Sequence, residues 1–251
     1  MNNDKKVMLV TGGSRGIGRA TVELAIERGY NLCINYAQSG DAAMALVEQA
    51  QSAGLEAIAV QADVADKKQV DALFEEVQRK FNRLDVLVNN AGIVSKASTL
   101  EEITEDNLQR ILDINVSGAV YCAVAAVKQM STKHGGKGGS IVNLSSVAAL
   151  LGAPNEYVDY AMTKGALDSM TIGLAKEVAV DGVRVNAIRP GLIYTDIHAS
   201  GGEPDRVDRL ANLVPMQRGG TAYEVATAIL WLASDEASYV TGSFLNVSGG
   251  R

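Results

Sequence analysis

An α/β fold built on one parallel sheet, covered by helices on both faces, is predicted by three features of this chain. Short β-leaning apolar runs alternate with longer segments of helical periodicity from one end to the other. Glycines stand at the joints between them, where helices end and strands turn. No linker-like tract, charge block or internal repeat interrupts the series, so the 251 residues read as a single domain, 1–251.

The elements follow in order. Val7-Met8-Leu9-Val10 is a continuous apolar run ending at Thr11-Gly12-Gly13, as a buried parallel strand feeding a tight turn does. An amphipathic helix over 17–29 closes on Gly29. The unit then repeats: strand 31–36, helix 41–53 ending at Gly54, strand 56–61, helix 67–81, strand 85–89 and a long helix over 104–130. Strand 140–145, helix 157–180, strand 184–189, helix 221–233 and strand 242–247 complete it. With right-handed crossovers these elements form a doubly wound Rossmann-type sheet of about seven strands. Ligands of such sheets bind beyond the carboxyl ends of the strands. The polar and glycine-rich segments 11–18, 89–95, 145–156 and 190–218 therefore share one rim.

Composition excludes several classes. Formal charge is 23 − 29 = −6, which argues against a nucleic-acid or anionic-membrane surface and suits an enzyme of small molecules. The longest uncharged apolar stretch, 114–127, is too short to span a bilayer, and Met1-Asn2-Asn3-Asp4-Lys5-Lys6 leads directly into a strand without a cleavable signal. Cys33 and Cys122 have no metal or redox spacing and are expected as reduced core thiols of a cytoplasmic protein. His134 and His198 lie in polar loop sequence without a partner at ligand spacing, so no metal site is expected. The helices over 114–127 and 161–179 carry small or apolar residues around much of their circumference. They are expected at a two-fold subunit interface; the alternative is an ordinary alanine-rich helix.

Thr11-Gly12-Gly13-Ser14-Arg15-Gly16-Ile17-Gly18 follows the first strand and opens the first helix. That is the setting a dinucleotide fingerprint requires, with diphosphate at a helix N-terminus where free N–H groups favour anions. The second strand ends Ile34-Asn35-Tyr36-Ala37-Gln38, with no acid before Asp41. NAD sites of this kind place an Asp or Glu there for the ribose 2′-hydroxyl. Its absence, with Arg15 in the loop, favours NADP (NADPH) and leaves NAD the alternative. Asp63 ends the third strand and can accept from an adenine amino group; Asn89-Asn90-Ala91-Gly92 lets backbone lie against a ribose. Both are also ordinary turn chemistry. Thr195, beyond Pro190-Gly191, can bond a nicotinamide carboxamide.

Tyr160 and Lys164 are four apart, on one helical face, with Ser146 fourteen residues earlier (160 − 146). An ammonium beside a phenol favours the phenolate, and shifting the phenol from ~10 toward ~7 takes about 4 kcal/mol. On the residues alone Ser145 competes with Ser146, and Asn115 reads equally as an Asn interrupting a helix.

Together, Thr11–Gly18, Asn89–Gly92, Asn115, Ser146, Tyr160 with Lys164, and Pro190-Gly191 match the short-chain dehydrogenase/reductase family in order and approximate spacing. The chain resembles that family over essentially its whole length. It is most similar to bacterial NADP-linked sugar dehydrogenases and 3-oxoacyl-carrier-protein reductases. The resemblance implies a catalytic tetrad of Asn115, Ser146, Tyr160 and Lys164. Tyr160 would act as general acid/base and Ser146 would bond the carbonyl oxygen. Lys164 would hold the nicotinamide ribose, and Asn115 would bend its helix and hold a proton-relaying water. It implies cofactor contacts at Gly12, Ser14, Arg15, Gly16, Ile17, Gly18, Tyr36, Asp63, Val64, Asn90, Ala91, Gly92, Tyr160, Lys164, Pro190, Gly191, Ile193 and Thr195. It also implies a homotetramer through the 104–130 and 157–180 helices.

Substrate specificity is expected from residues 147–158 and from a mobile lid over 192–218, with Leu150, Leu151, Asn155, Tyr157, Ile193 and Met216 as candidate lining. A small ketone, aldehyde or sugar is the expected substrate. A carrier-protein-bound oxoacyl chain is the alternative, disfavoured by the acidic balance. A non-catalytic nucleotide sensor on the same fold is the reading from another class.

Overall fold

The computed structural model describes residues 5–251; residues 1–4 of the polar lead, and of the expected 1–251 domain, lie outside the described residues. The elements are β1 (Val7–Val10), α1 (Gly16–Glu27), β2 (Asn31–Tyr36), α2 (Gly40–Ser52), β3 (Ala57–Gln61), α3 (Lys67–Phe81), β4 (Val86–Asn89) and α4 (Glu105–Leu112). They continue as α5 (Ala119–Met130), β5 (Gly139–Leu144), α6 (Ala148–Leu151), α7 (Val158–Val178), β6 (Val183–Pro190), β7 (Ile193–Tyr194) and α8 (Ile197–Ser200). Last come α9 (Arg206–Leu210), β8 (Gly220–Thr221), α10 (Ala222–Ala233) and β9 (Phe244–Val247).

Seven strands form one sheet in the order β3-β2-β1-β4-β5-β6-β9, and every pairing is parallel. This is the doubly wound Rossmann-type α/β fold. The chain leaves β1 in one direction toward β3 and returns through α3 to β4 on the other side, which opens a crevice between β1 and β4.

Strand alternation sets the two cores. Met8 and Val10 of β1 face a cluster completed by Val22, Leu46 and Ile229 of α1, α2 and α10. Val7 and Leu9 face the opposite cluster, with Leu73 and Phe74 of α3, Cys122 and Ala126 of α5 and Val178 of α7. Local signals start the helices where the chain must turn back. The Asp66 carboxylate accepts from Lys68 N at 2.8 Å to cap α3, and Thr221 with Glu224 forms a capping box on α10. Both cysteines are free and buried; burial raises both thiols, Cys122 to about 12.

The structure departs from the expected elements in two places. The helix expected over 104–130 is divided by a π-helical segment, Asp113–Gly118, between α4 and α5. By length and composition Glu105–Met130 is long and apolar enough to cross a membrane, yet Cys122, Ala126 and Met130 are buried in the sheet-facing core. The 192–218 segment is folded rather than open. It pairs β7 with β8, carries α8 and α9, and keeps a small core of Leu192, Val207 and Val214.

Candidate active site

The glycine loop is built first by backbone. Gly12 takes φ +60, a left-handed conformation that a side chain disfavours. Gly18 is demanded by proximity: a Cβ there would stand 2.3 Å from Gly12 O and 2.5 Å from Asn90 Nδ2. Gly12 N donates to Asn35 Oδ1 at 3.2 Å, and Asn90 Nδ2 donates to the carbonyls of Thr11 and Gly12 at 2.8 and 3.0 Å. Thr11 Oγ1 accepts from the amides of Asn90 and Ala91, each at 3.0 Å. The two rims of the crevice are thereby fixed to each other. The N-terminus of α1 begins there with no side-chain cap and no acid in its first turn, which leaves its N–H groups for an anion.

A cavity of about 660 Å³ runs from this loop to the lid segment. Its wall brings together Gly12, Ser14, Arg15, Gly16, Ile17, Asp63, Val64, Asn90, Ala91, Gly92, Ser146, Tyr160, Lys164, Pro190, Gly191, Ile193 and Thr195. Three residues of the expected set stand outside the wall. The Tyr36 ring packs over Gly40, 3.3 Å from where a Cβ would lie. Gly18 lies beneath the loop as a packing position. Asn115 sits behind the wall and is buried. Its Oδ1 accepts from Ile93 N at 2.9 Å, and its Nδ2 donates to Ile93 O at 2.9 Å and Thr163 Oγ1 at 3.1 Å. In the π segment, Asn115 thus fastens the 92–94 loop to α7.

Asp63 does not present free oxygens. Its Oδ2 accepts from Arg110 Nη2 at 3.0 Å and its Oδ1 from Ala65 N at 3.0 Å. Arg110, also in the wall, carried no motif signal in the sequence, because its partner is 47 residues away. Ala37, Gln38 and Ser39 join the wall as well; Ser39 precedes α2 with its hydroxyl making no cap bond. Of the candidate substrate-pocket residues, Leu151, Tyr157 and Ile193 line the cavity, while Leu150, Asn155 and Met216 do not.

At the other end of the cavity, geometry separates the two serines. Ser145 Oγ donates to Lys164 O at 3.2 Å, a structural bond. Ser146 Oγ accepts from Ala148 N at 3.1 Å and shares the cavity wall with Tyr160. The electrostatics differ from the simple expectation. Burial pushes the Tyr160 phenol up to about 12, with the Ser146 hydroxyl pulling the other way. Lys164 Nζ lies 5.4 Å from the centroid of the Tyr160 ring and donates to Leu144 O at 2.6 Å. Burial brings that ammonium down to about 8, partly offset by Asp168 one turn further along α7. The pair shares the cavity, and burial sets the direction of both shifts.

A doubly wound sheet with a glycine loop at its switch point and a Ser, Tyr and Lys beside it defines a dinucleotide-dependent oxidoreductase site. The chain belongs to the short-chain dehydrogenase/reductase family. A family model described as enoyl-(acyl carrier protein) reductase matches residues 12–251. An Escherichia coli oxidoreductase, YgfF, is 54% identical over 245 residues, covering 98% of this chain and 99% of that protein. The 3-oxoacyl-[acyl-carrier-protein] reductase FabG of Staphylococcus aureus is 38% identical over 245 residues, 98% of this chain and 97% of that one. Among solved structures, a Serratia marcescens short-chain dehydrogenase/reductase variant superposes with TM-score 0.89 at 33% identity, covering 98% and 97% of the two chains. A blue fluorescent protein from a metagenomic library, in complex with NADPH, gives TM-score 0.90 at 35% identity, covering 100% and 99%.

Proposed function

We propose that this protein is a cytoplasmic NADP(H)-dependent oxidoreductase that interconverts a carbonyl and an alcohol, acting on a small ketone, aldehyde or sugar. The observation that carries the reading is the placement of Ser146, Tyr160 and Lys164 at one end of a cavity whose other end is the glycine loop.

The residues present fit the cofactor. The uncapped N-terminus of α1 and the close glycine packing make a cradle for a diphosphate. Arg15, Gln38 and Ser39, with no acid among the wall residues after β2, suit a 2′-phosphate better than a bare ribose. Bound there, NADPH would supply the hydride that reduces a carbonyl carbon. Ser146 donates a hydrogen bond to the carbonyl oxygen and steadies the charge that develops on it. Tyr160 gives that oxygen its proton in reduction, and takes it back in oxidation. Lys164 holds positive charge beside the phenol, and Asn115 keeps the 92–94 wall and α7 in register. In this reading Lys164 would also hold the nicotinamide ribose.

A 3-oxoacyl-carrier-protein reductase is the second reading, favoured by the likeness to FabG. Against it, the two arginines of α9 are already matched. Arg206 pairs with Glu156 and Glu203, and Arg209 with Glu203, so they do not form a basic landing surface for an acidic partner. We also propose a homotetramer through the 104–130 and 157–180 helices, whose outer faces leave Val120, Val124, Met162 and Ile172 exposed. The test of activity is a panel of carbonyls and alcohols run with NADPH/NADP and NADH/NAD. NADPH-supported reduction of small carbonyls is expected. Binding of NADPH with no turnover of any of them would favour a sensor.

A further inference from the structure

The lid segment touches the far wall of the cavity at Gly201, Glu203 and Arg206, Glu203 Oε2 accepting from Tyr157 Oη at 3.4 Å. Near the end of α8, a Cβ on Gly201 would lie 3.1 Å from both Tyr157 Oη and Val94 Cγ2. On α9, Arg206 reaches across with a side chain only 9% exposed. Its Nη2 donates to Glu156 Oε2 at 2.5 Å and its Nη1 to Glu203 Oε2 at 2.6 Å. The guanidinium also lies 5.0 Å from the centroid of the Tyr157 ring. Glu156 and Tyr157 are the last residues before α7, the helix that carries Tyr160.

Of the small core of Leu192, Val207 and Val214, only Val207 lies within 197–213, so apolar burial holds this part only weakly against the opposite wall. We propose that Arg206 is the latch that holds the lid, residues 197–213, across the substrate end of the cavity by bonding Glu156. Arginine is required because two carboxylates and a ring face are engaged at once, which a point-charge ammonium cannot do. Closure and the approach to the catalytic helix are thereby linked, with the bond from Tyr157 to Glu203 as a second tie. Arg206 is a positioning residue, and its role in turnover rests on the oxidoreductase reading above.

Hydrogen exchange of the unliganded protein separates the two ideas. In Arg206→Met and in Glu156→Gln, lid amides over 197–213 are expected to exchange roughly tenfold faster, with β1 and β4 amides unchanged. Arg206→Lys is expected to fall between wild type and Arg206→Met. With the most rapidly reduced carbonyl of the panel, Arg206→Met is expected to raise KM about tenfold with kcat retained, since an open lid weakens substrate capture rather than chemistry. Unaltered lid exchange in both variants, or acceleration spread equally over the sheet, would overturn the latch. Faster lid exchange in a protein whose wild type turns over no carbonyl would keep the latch and overturn the oxidoreductase reading. Glu156→Gln, at a side chain 33% exposed, keeps the test decisive if Arg206→Met does not fold.

Discussion

Lys164 is a charged group held at a cost in the unliganded fold. Its ammonium is buried and donates to the carbonyl of Leu144, and its pKa falls from the ordinary 10.5 to about 8. An unfolded chain would hold that proton up to its ordinary range, so between about pH 8 and 10.5 the unfolded state binds more protons and stability rises with pH. At neutral pH the folded state therefore bears a penalty of about 3 kcal/mol at this residue. Tyr160 acts in the opposite sense, but only above its ordinary value of 10.0. Lys164→Met should stabilise the unliganded protein at pH 7 by about 2 kcal/mol, after the loss of one hydrogen bond is allowed for. The gain should shrink toward pH 10. Urea titrations of both proteins across that range measure it, and a variant less stable than wild type at pH 7 contradicts the account. The same numbers revise the expectation that i,i+4 spacing alone tunes the phenol. Spacing fixes proximity, whereas the sign of the shift depends on burial and on where the ammonium points, and neither is written in the sequence.

Among the elements, the β1–α1 turn was the most legible, because its conformational demands can be met by few residue types. The left-handed φ at Gly12 and the lack of room at Gly18 are backbone facts that surface as glycines. Gly18→Ala is expected to push the loop away from Asn90 and to weaken NADPH and NADH alike, by about tenfold or more. Arg15→Ala, by contrast, should weaken NADPH more than NADH. Cofactor fluorescence titrations of the two variants compare the patterns, and equal losses in Arg15→Ala would count against the 2′-phosphate assignment. The π segment was legible only in part. Asn115 was expected to bend its helix, and Asp113–Gly118 is a run of weak helix formers, but the π form, in which Asn115 bonds Ile93 and Thr163, rests on tertiary partners. The lid helices α8 and α9 were missed for a different reason. At four and five residues they are too short to display a 3.6-residue period, and the segment read as open loop.

For the whole molecule, the doubly wound parallel sheet follows from alternation, crossover handedness and strand apolarity, all local or topological rules, which is why it could be read in advance, though its strand order was not. Contacts such as Arg110 with Asp63 and Arg206 with Glu156 join residues 47 and 50 apart in the chain, and no local pattern announces them. Assembly belongs to this scale as well. Val124 and Ile172 are 49% and 43% exposed, more than isolated core-type residues need be. Native mass spectrometry should give four copies of the 26.4 kDa chain, and Val124→Glu with Ile172→Glu should reduce that mass. A wild-type protein that is monomeric at micromolar concentration would remove the proposed interface.

The most direct test is the rate of NADPH oxidation by wild type and Tyr160→Phe, with the carbonyl that wild type reduces best, alongside NADPH binding to each. The Tyr160→Phe protein should bind NADPH as wild type does and lose at least about a thousandfold in kcat, because the phenyl ring keeps the shape and lacks the proton. Turnover retained within tenfold in Tyr160→Phe would show that the proton comes from elsewhere and would contradict the mechanism.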